Sequence, residues 1–504
     1  MSITGPGSIT SANLTAQLNM FTQLGTLSQE LGTGQAASTY SGLGSRAGLA
    51  LQLGAQVAAI NGYNNTASTV GTTLTIAQSV LSDLSNTAGS MQQAIAKQDA
   101  FSLDGTGQTA TQEAAAAYLD QMLSSLNTQV GSNYLFSGSA VNQPSVASSD
   151  AILNGTATQA GLTQVIAQRQ QADQGANGLG RLVIPAASGS TVSVSEDVAG
   201  SPFGFKLAGV NSSLTGATVT GPSGSPASIS VNLGSNPNPG DSITFDLTLP
   251  DGSSQAITLQ ATNASPPGAN QFTIGASANA TAANLQAALT GAVTNLAQTA
   301  LPAASAIVAA NDFFTSDPPQ VVNGPPYDTA TSLAAGTPAN TVFWYTGENG
   351  ATPALQTATA QVGPSLTVDY GLRANEPAIS SLLATVGALA ATTYSPSDPN
   401  ALASYQALSQ RVAQNLSSSP PGAQTIPDIA ANLASAQTAI SNATAINTQT
   451  QNTLQDMLQG FEGVNQDAIG EDILTLQNNL SASMSVTARL AQLSLVNYLA
   501  PSSG

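Results

Sequence analysis

The 504 residues contain no cysteine and no histidine, a single tryptophan at Trp344, and only 8 Lys plus Arg. Each shortage closes a class of function. Without Cys or His there is no zinc or copper site of the usual kind. There is also no Ser-His or Cys-His nucleophile pair, no histidine proton shuttle and no disulfide framework. The cations Arg46, Lys97, Arg169, Arg181, Lys206, Arg373, Arg411 and Arg489 are spread over the whole length. They cannot build the basic face that displaces counterions from phosphates, so no nucleic acid partner is expected. No apolar run approaches the roughly 18 to 20 residues that cross a bilayer, and no membrane insertion is expected. The opening MSITGPGSIT lacks a cationic n-region and an apolar h-region, so no cleaved secretory signal is expected.

Charged residues make up 7% of the chain, against about 25% in an ordinary soluble protein. The 26 Asp plus Glu leave a formal net charge of −18. That charge keeps copies apart in dilute solution and opposes contact with acidic surfaces. The polar content is Ser, Thr, Asn and Gln, with 46 Gly and 26 Pro. At roughly 150 residues per domain, the length predicts about three domains.

Both ends read as long helices. Leu14, Leu18, Phe21, Leu24, Leu27 and Leu31 are separated by threes and fours, which predicts one helical stripe ending at Gly32-Thr-Gly34. A loop follows, from Ser38 to Gly48. Leu49, Leu53, Val57, Ile60, Tyr63, Ala67, Val70, Leu74, Ala77, Leu81, Leu84, Ala88, Met91 and Ile95 then keep heptad spacing without interruption. At 1.5 Å per residue this predicts a helix of roughly 70 Å. Gly62, Gly71 and Gly89 each weaken it by about 1 kcal/mol against Ala. A turn at Asp104-Gly-Thr-Gly107 leads to a third helix carrying Leu119, Met122, Leu126 and Val130 on one face.

The C-terminal region mirrors the start. Ile426, Ile429, Leu433, Ala436, Ile440 and Ala443 form one stripe. After a phase shift, Leu454, Met457, Phe461, Val464 and Ala468 continue it. Ile469, Ile473, Leu476, Leu480 and Met484 follow, and Leu490, Leu493 and Val496 finish it. The opposite face carries Gln, Asn, Ser and Thr in place of the usual charged coiled-coil pairs.

Between about Gly178 and Tyr370 the pattern alternates apolar and β-branched residues with Gly, Pro and Asn punctuation. Strands are predicted at 182–184, 191–194, 217–220, 228–233, 242–249, 256–260, 271–274, 341–345 and 365–370. Pro250-Asp-Gly252 marks a hairpin, and an Ala-rich helix is predicted over 282–296. The expected fold is a mainly α terminal rod, made of long antiparallel coiled-coil-like helices from both chain ends, with an inserted β-rich (α+β) central region. The expected domains are terminal helices (1–45 with 465–504), a helical rod (46–175 with 375–464), a β-rich domain (176–213 with 315–374) and an α+β insert (214–314).

Motifs that resemble chemistry have plainer readings beside them. Gly42-Leu-Gly44 with Gly48 lacks the preceding strand and the following Lys of a phosphate loop, and reads as a joint between helices. Glu196-Asp197 and Glu471-Asp472 are neighbours in sequence and cannot face each other across a cleft, so they read as solvated residues. Phe343-Trp-Tyr345 reads as a buried strand, with a carbohydrate-stacking platform as the competing reading. Tyr134-Leu-Phe136 reads as a core plug after a helix. No catalytic, metal or cofactor residues are predicted.

Specific segments resemble the bacterial flagellin superfamily. Leu24, Leu27 and Leu31-Gly-Thr-Gly34, followed by the heptad helix, resemble the family's entry into its rod. Gly131-Ser-Asn-Tyr-Leu-Phe-Ser-Gly138 is similar to a segment of hook–filament junction proteins and related flagellins. Val486-Thr-Ala-Arg-Leu-Ala-Gln-Leu-Ser-Leu-Val-Asn-Tyr-Leu499 resembles the family's terminal helix. Gly180-Arg-Leu, Val194-Ser-Glu-Asp197 with Ser201-Pro-Phe-Gly204, and Trp344-Tyr-Thr-Gly-Glu348 also look like internal segments of flagellin-like hook-associated proteins. The resemblance covers roughly residues 10–140 and 375–499, and residues 214–314 resemble an accessory domain of some long flagellins.

The resemblance implies a non-enzymatic, extracellular structural subunit of the flagellum, supporting motility and exported without a cleaved signal. Its implied partners are further copies of the chain in a helical filament, other flagellar axial proteins, and the export apparatus with its chaperone. The expected self-assembly interface is Leu14, Leu18, Phe21, Leu24, Leu27, Leu31, Ile469, Ile473, Leu476, Leu480, Leu490, Leu493 and Val496. A hook–filament junction role is the nearest alternative. A surface-adhesion module on the central insert, acting through Phe343–Tyr345 or loops near Pro318–Pro326, is the next, and a hydrolase on the insert is the weakest. Deleting residues 214–314 is the expected way to separate adhesion from assembly.

Overall fold

The heptad-spaced apolar residues do form one uninterrupted helix, the longest element of the chain, in a computed structural model that describes residues 6–97 and 101–498. Of residues 6–10 and 493–498 only the helical backbone is described. The helices are Pro6–Thr33 (α1), Ala47–Ala96 (α2), Ala110–Leu126 (α3), Ser149–Asn154 (α4), Leu162–Gln174 (α5), Ala278–Gln298 (α6), Ala300–Phe314 (α7), Pro377–Ala391 (α8), Ala401–Ser417 (α9), Ile426–Glu462 (α10) and Gln466–Tyr498 (α11). Two short hairpins, Gln129–Val130 (β1) with Asn133–Tyr134 (β2) and, near the other end, Gln320–Val322 (β11) with Leu333–Ala335 (β12), flank the main sheets. Those sheets contain Leu182–Val183 (β3), Thr191–Glu196 (β4), Lys206–Ser212 (β5), Ala217–Ser223 (β6), Ser228–Leu233 (β7), Ser242–Thr248 (β8), Ser254–Thr262 (β9) and Gln271–Thr273 (β10). Thr359–Gln361 (β13) and Thr367–Asp369 (β14) pair last. The fold is thus an α+β mix, about 53% helical, with several antiparallel sheets.

The chain divides into two units. The first holds residues 1–70, 360–368 and 438–504. Within it α1 packs antiparallel along α11. Gln17 Nε2 donates to Thr487 Oγ1 at 2.9 Å near one end, and Ala36 N donates to the Glu462 carbonyl at 2.7 Å near the other. The break at 463–465 ends α10 and starts α11. Gly463 leaves no room for a side chain, since an added Cβ would lie 2.4 Å from the Gln459 carbonyl. Asn465 Oδ1 then caps α11 by accepting from Asp467 N and Ala468 N. In the same unit α10 runs antiparallel to α2, joined by amides instead of charges. Gln451 Nε2 donates to Asn61 Oδ1 at 3.0 Å, and Asn447 Nδ2 donates to Asn64 Oδ1 and the Val362 carbonyl. Asn447 is buried, and paired amides avoid the desolvation cost of an ion pair there.

The second unit holds residues 71–359 and 369–437. Its helical part surrounds α7, which packs against α5, α8 and α9 and is buried on nearly every side. The turn before α3 is built as its residues suggest. Asp104 accepts from Thr106 N and Gln108 N, and Gly107 adopts φ +83° where a Cβ would strike the Tyr394 carbonyl. Thr109 and Gln112 close a capping box on α3.

The β part has two four-stranded sheets, ordered β3-β4-β7-β6 and β10-β9-β8-β5. Only β10 with β9 is parallel among these pairs. The predicted hairpin at Pro250–Gly252 joins β8 to β9. Inward residues alternate along each strand, as Val192 and Val194, Ile229 and Val231, and Ile243, Phe245 and Leu247 show. They share one core with Leu285, Leu289 and Val293 of α6 and Leu301 of α7.

Several expectations need correction. The boundary expected between residues 213 and 214 runs through this core, because β5 on one side pairs with β8 on the other. Residues 341–345 form isolated bridges, Thr341 with Ala160 and Tyr345 with Val146, and no strand. Helices α4, α5, α7, α8 and α9 are additions to the sequence reading. For α7 and α8 the cause is clear: a helix apolar on all sides shows no 3.6-residue stripe. The span Ala278–Phe314 also contains an 18-residue stretch long and apolar enough to cross a membrane, but 61% of that stretch is buried within the fold.

Candidate assembly surface

The expected interface residues split into two faces. On α1, Leu24 and Leu27 are half-buried on the side that also carries Gln17 and Met20. Opposite, on α11, Ile469 and Leu480 are buried, and Ile473, Leu476 and Leu490 are half-buried. Those residues are brought together by the antiparallel pairing. Leu14, Leu18 and Phe21 are not: they lie off the stripe of Leu24 and Leu27 and stay 58%, 59% and 47% exposed. Leu31, on the same face as Leu24 and Leu27, is 37% exposed. The side chains of Leu493 and Val496 lie outside the described residues. On α11, Met484, expected in the stripe, is exposed, and Leu474 and Val486, which sequence reasoning left out of the stripe, are exposed as well. Their apolar character was visible, but their orientation follows only from which face α1 covers.

Hydroxyl side chains on these helices behave as apolar surface. Thr22 Oγ1 donates to the Leu18 carbonyl at 2.9 Å, Thr26 to the Thr22 carbonyl and Thr33 to the Gln29 carbonyl. A Thr bonded back onto its own helix turns its methyl outward. Asn19, Thr22, Thr26, Asp472, Thr475 and Asn479, with Leu27 and Leu476, line an open groove of about 640 Å³ between α1 and α11. The surface is therefore a row of apolar residues beside back-bonded threonines and exposed amides, with Asp472 as the charge in the groove. Such a surface is costly to leave in water and cheap to desolvate.

No protein-family model matches this chain, and no curated protein does.

The scarce cations are committed elsewhere. In the second unit Arg169 bridges Asp173 at 2.9 Å and Asp312 at 3.0 Å, under the ring of Phe203. Burial pushes the carboxyls of Asp173 and Asp312 above the usual range, partly offset by the Arg169 charge. Arg181 pairs with Asp197, Lys206 with Glu196, Arg373 with Glu348 and Arg411 with Asp251. Glu196 and Asp197, expected as solvated residues, are thus ion-pair partners on separate sides of the chain. Glu471 and Asp472 remain exposed on α11. Five of the eight cations are taken up inside one unit, and most carboxylates among the described residues have no ion-pair partner.

The segments singled out in the sequence turn out to be joints of the second unit. Phe136 is fully buried, and Gly138 adopts φ +64° against Arg373 and Glu348. Phe205 N donates to the Gly180 carbonyl, beside the Arg181–Asp197 pair. Trp344 is 3% exposed, donates Nε1–H to the Phe314 carbonyl at 3.1 Å and stacks near the Phe314 ring. A sugar ring cannot stack on it.

Proposed function

We propose that this chain is a self-assembling structural subunit of the extracellular bacterial flagellum, building a flagellin-type filament that supports motility. The observation that carries the reading is the row Leu14, Leu18 and Phe21. α1 already has a helical partner in α11, yet its most apolar positions face solvent. A helix that keeps such a row uncovered after pairing fits burial against other copies. Heterologous contacts of that kind do not close and propagate into helical filaments. In this reading the pairs α1 with α11 and α2 with α10 belong to an antiparallel coiled-coil-like rod. The resemblance of residues 10–140 and 375–499 to flagellins supplies the compartment, the export route without a cleaved signal, and the axial and chaperone partners. The reading assigns no catalysis and no cofactor.

A hook–filament junction role is the second reading, supported by the likeness of residues 131–138 to that group. Adhesion through Phe343–Tyr345 loses its support, because Trp344 is buried.

The test is polymerisation of purified protein, followed by sedimentation and electron microscopy, for the full chain and for chains lacking residues 1–35 or 470–504. Filaments from the full chain and none from either truncation are expected. Equal polymerisation of a truncated chain sinks the reading. Gold labelling along the shaft, or only at its base, separates the filament role from the junction role.

A further inference from the structure

We propose that Asn349-Gly350 is a self-modification site, at which the folded chain converts Asn349 to a succinimide and then to aspartate or isoaspartate. Five Asn-Gly pairs occur in the sequence, at 61–62, 154–155, 177–178, 323–324 and 349–350. Gly removes the Cβ that would crowd the attacking backbone nitrogen, so each pair has the intrinsic chemistry. Among the described residues, 349–350 is the pair whose backbone N–H donates to a carboxylate. Gly350 N–H, the nucleophile, donates to Glu348 Oε1 at 2.5 Å. Asn349 Oδ1, where negative charge develops, accepts from Asn375 Nδ2 at 2.9 Å. Asn349 Nδ2, the leaving group, donates to the Asp317 carboxylate. A carboxylate only accepts, so the Asp317 contact fixes which end of the Asn349 amide faces Asn375.

The other pairs lack this arrangement. Asn61 and Gly62 lie inside α2. Gly155 N donates to the Ala151 carbonyl and Gly178 N to the Gly175 carbonyl, and a carbonyl cannot take the proton.

The step balances without an outside reagent except water. Glu348, whose Oε2 pairs with Arg373, takes the Gly350 N–H proton on Oε1 as Gly350 N bonds to Asn349 Cγ. The oxyanion on Oδ1 is held by the Asn375 amide. The Cγ–Nδ2 bond breaks, and the nitrogen leaves as ammonia with the proton returned through water. Asn349 and Gly350 are exposed, so water reaches the ring and opens it on either carbonyl. The product puts a carboxylate against Asp317 in place of the donor that held it, beside the Arg373–Glu348 pair. The clip between residues 317, 349 and 375 then opens by like-charge repulsion.

The experiment incubates the full chain at neutral pH, native or unfolded in urea, and follows each Asn-Gly peptide by mass spectrometry. Expected is faster conversion at 349 in the native chain than in urea, with the other pairs slower in the native chain. Glu348→Gln slows conversion at 349 by roughly a hundredfold, and Asn375→Ala slows it by a similar order. Gly350→Pro, which has no N–H, abolishes it, and a melting curve of each variant confirms that the unit stays folded. Slower conversion at 349 in the native chain than in urea overturns the proposal, since the same contacts then protect the amide. An unchanged rate in folded Glu348→Gln overturns the assignment of the base.

Discussion

Replacing Leu18 by aspartate separates folding of the subunit from its assembly. Leu18 is 59% exposed and sits between Leu14 and Phe21 on the uncovered face of α1. It takes no part in the contact with α11, so Leu18→Asp changes subunit stability by no more than about 0.5 kcal/mol, as for other surface substitutions. Covering a leucine fully stabilises by about 1.5 to 3 kcal/mol, so the exposed share of Leu18 contributes about 1 to 2 kcal/mol at a subunit contact. An aspartate forfeits that and adds a desolvation cost of several kcal/mol. Together these amount to about 5 kcal/mol, which is roughly a thousandfold or more in association. The expected result is wild-type helicity and melting by circular dichroism, with a critical concentration for polymerisation raised by about that factor. Leu480→Asp is the internal contrast: Leu480 is buried against α1 within one subunit, so its variant loses stability before assembly is tested. Filaments of Leu18→Asp at the wild-type concentration would refute the argument, because they would show that the uncovered row is not at a dry contact.

Stability should rise as pH falls from neutrality. Burial raises Asp173, Asp312 and Glu376, so the folded state binds protons before the unfolded state does, and their ionisation costs stability as pH rises above their ordinary values of 3.8 and 4.5. Asp104, Asp241 and Asp428 are lowered by hydrogen bonds and act oppositely, losing their contribution as pH falls below 3.8. A thermal-melting series should therefore peak on the acid side of neutrality; a maximum above pH 7 contradicts it. Arg169→Ala leaves Asp173 and Asp312 without their cation and should destabilise the second unit by about 3 to 5 kcal/mol in urea titrations; a change below about 1 kcal/mol would show that the pair is dispensable. Deleting residues 214–314 removes β6 to β10, α6 and α7 and exposes Val192, Val194 and Phe205, so the deleted chain should lose the cooperative unfolding transition of this unit. A sharp, native-like transition in that variant would mean that the insert has a core of its own.

The sequence by itself determined the long elements and the chemistry that the protein lacks. Leu49 to Ile95 keep one spacing, and one helix follows, because a heptad pattern has a single way to bury its stripe. Ser228–Leu233 was read to the residue, because its alternation is bounded by turn residues at both ends. Sequence could not show α7, whose residues are apolar on every side, nor that Glu196 and Asp197 answer Lys206 and Arg181. The assembly surface is divided in the same way. The stripe from Leu14 to Leu31 was legible as an apolar face. Which of its residues α11 covers, and which stay in water, was decided by the rotation of two paired helices. That rotation is fixed by contacts such as Gln17 with Thr487 and Ala36 with Glu462, made between residues more than four hundred positions apart, where local spacing carries no information.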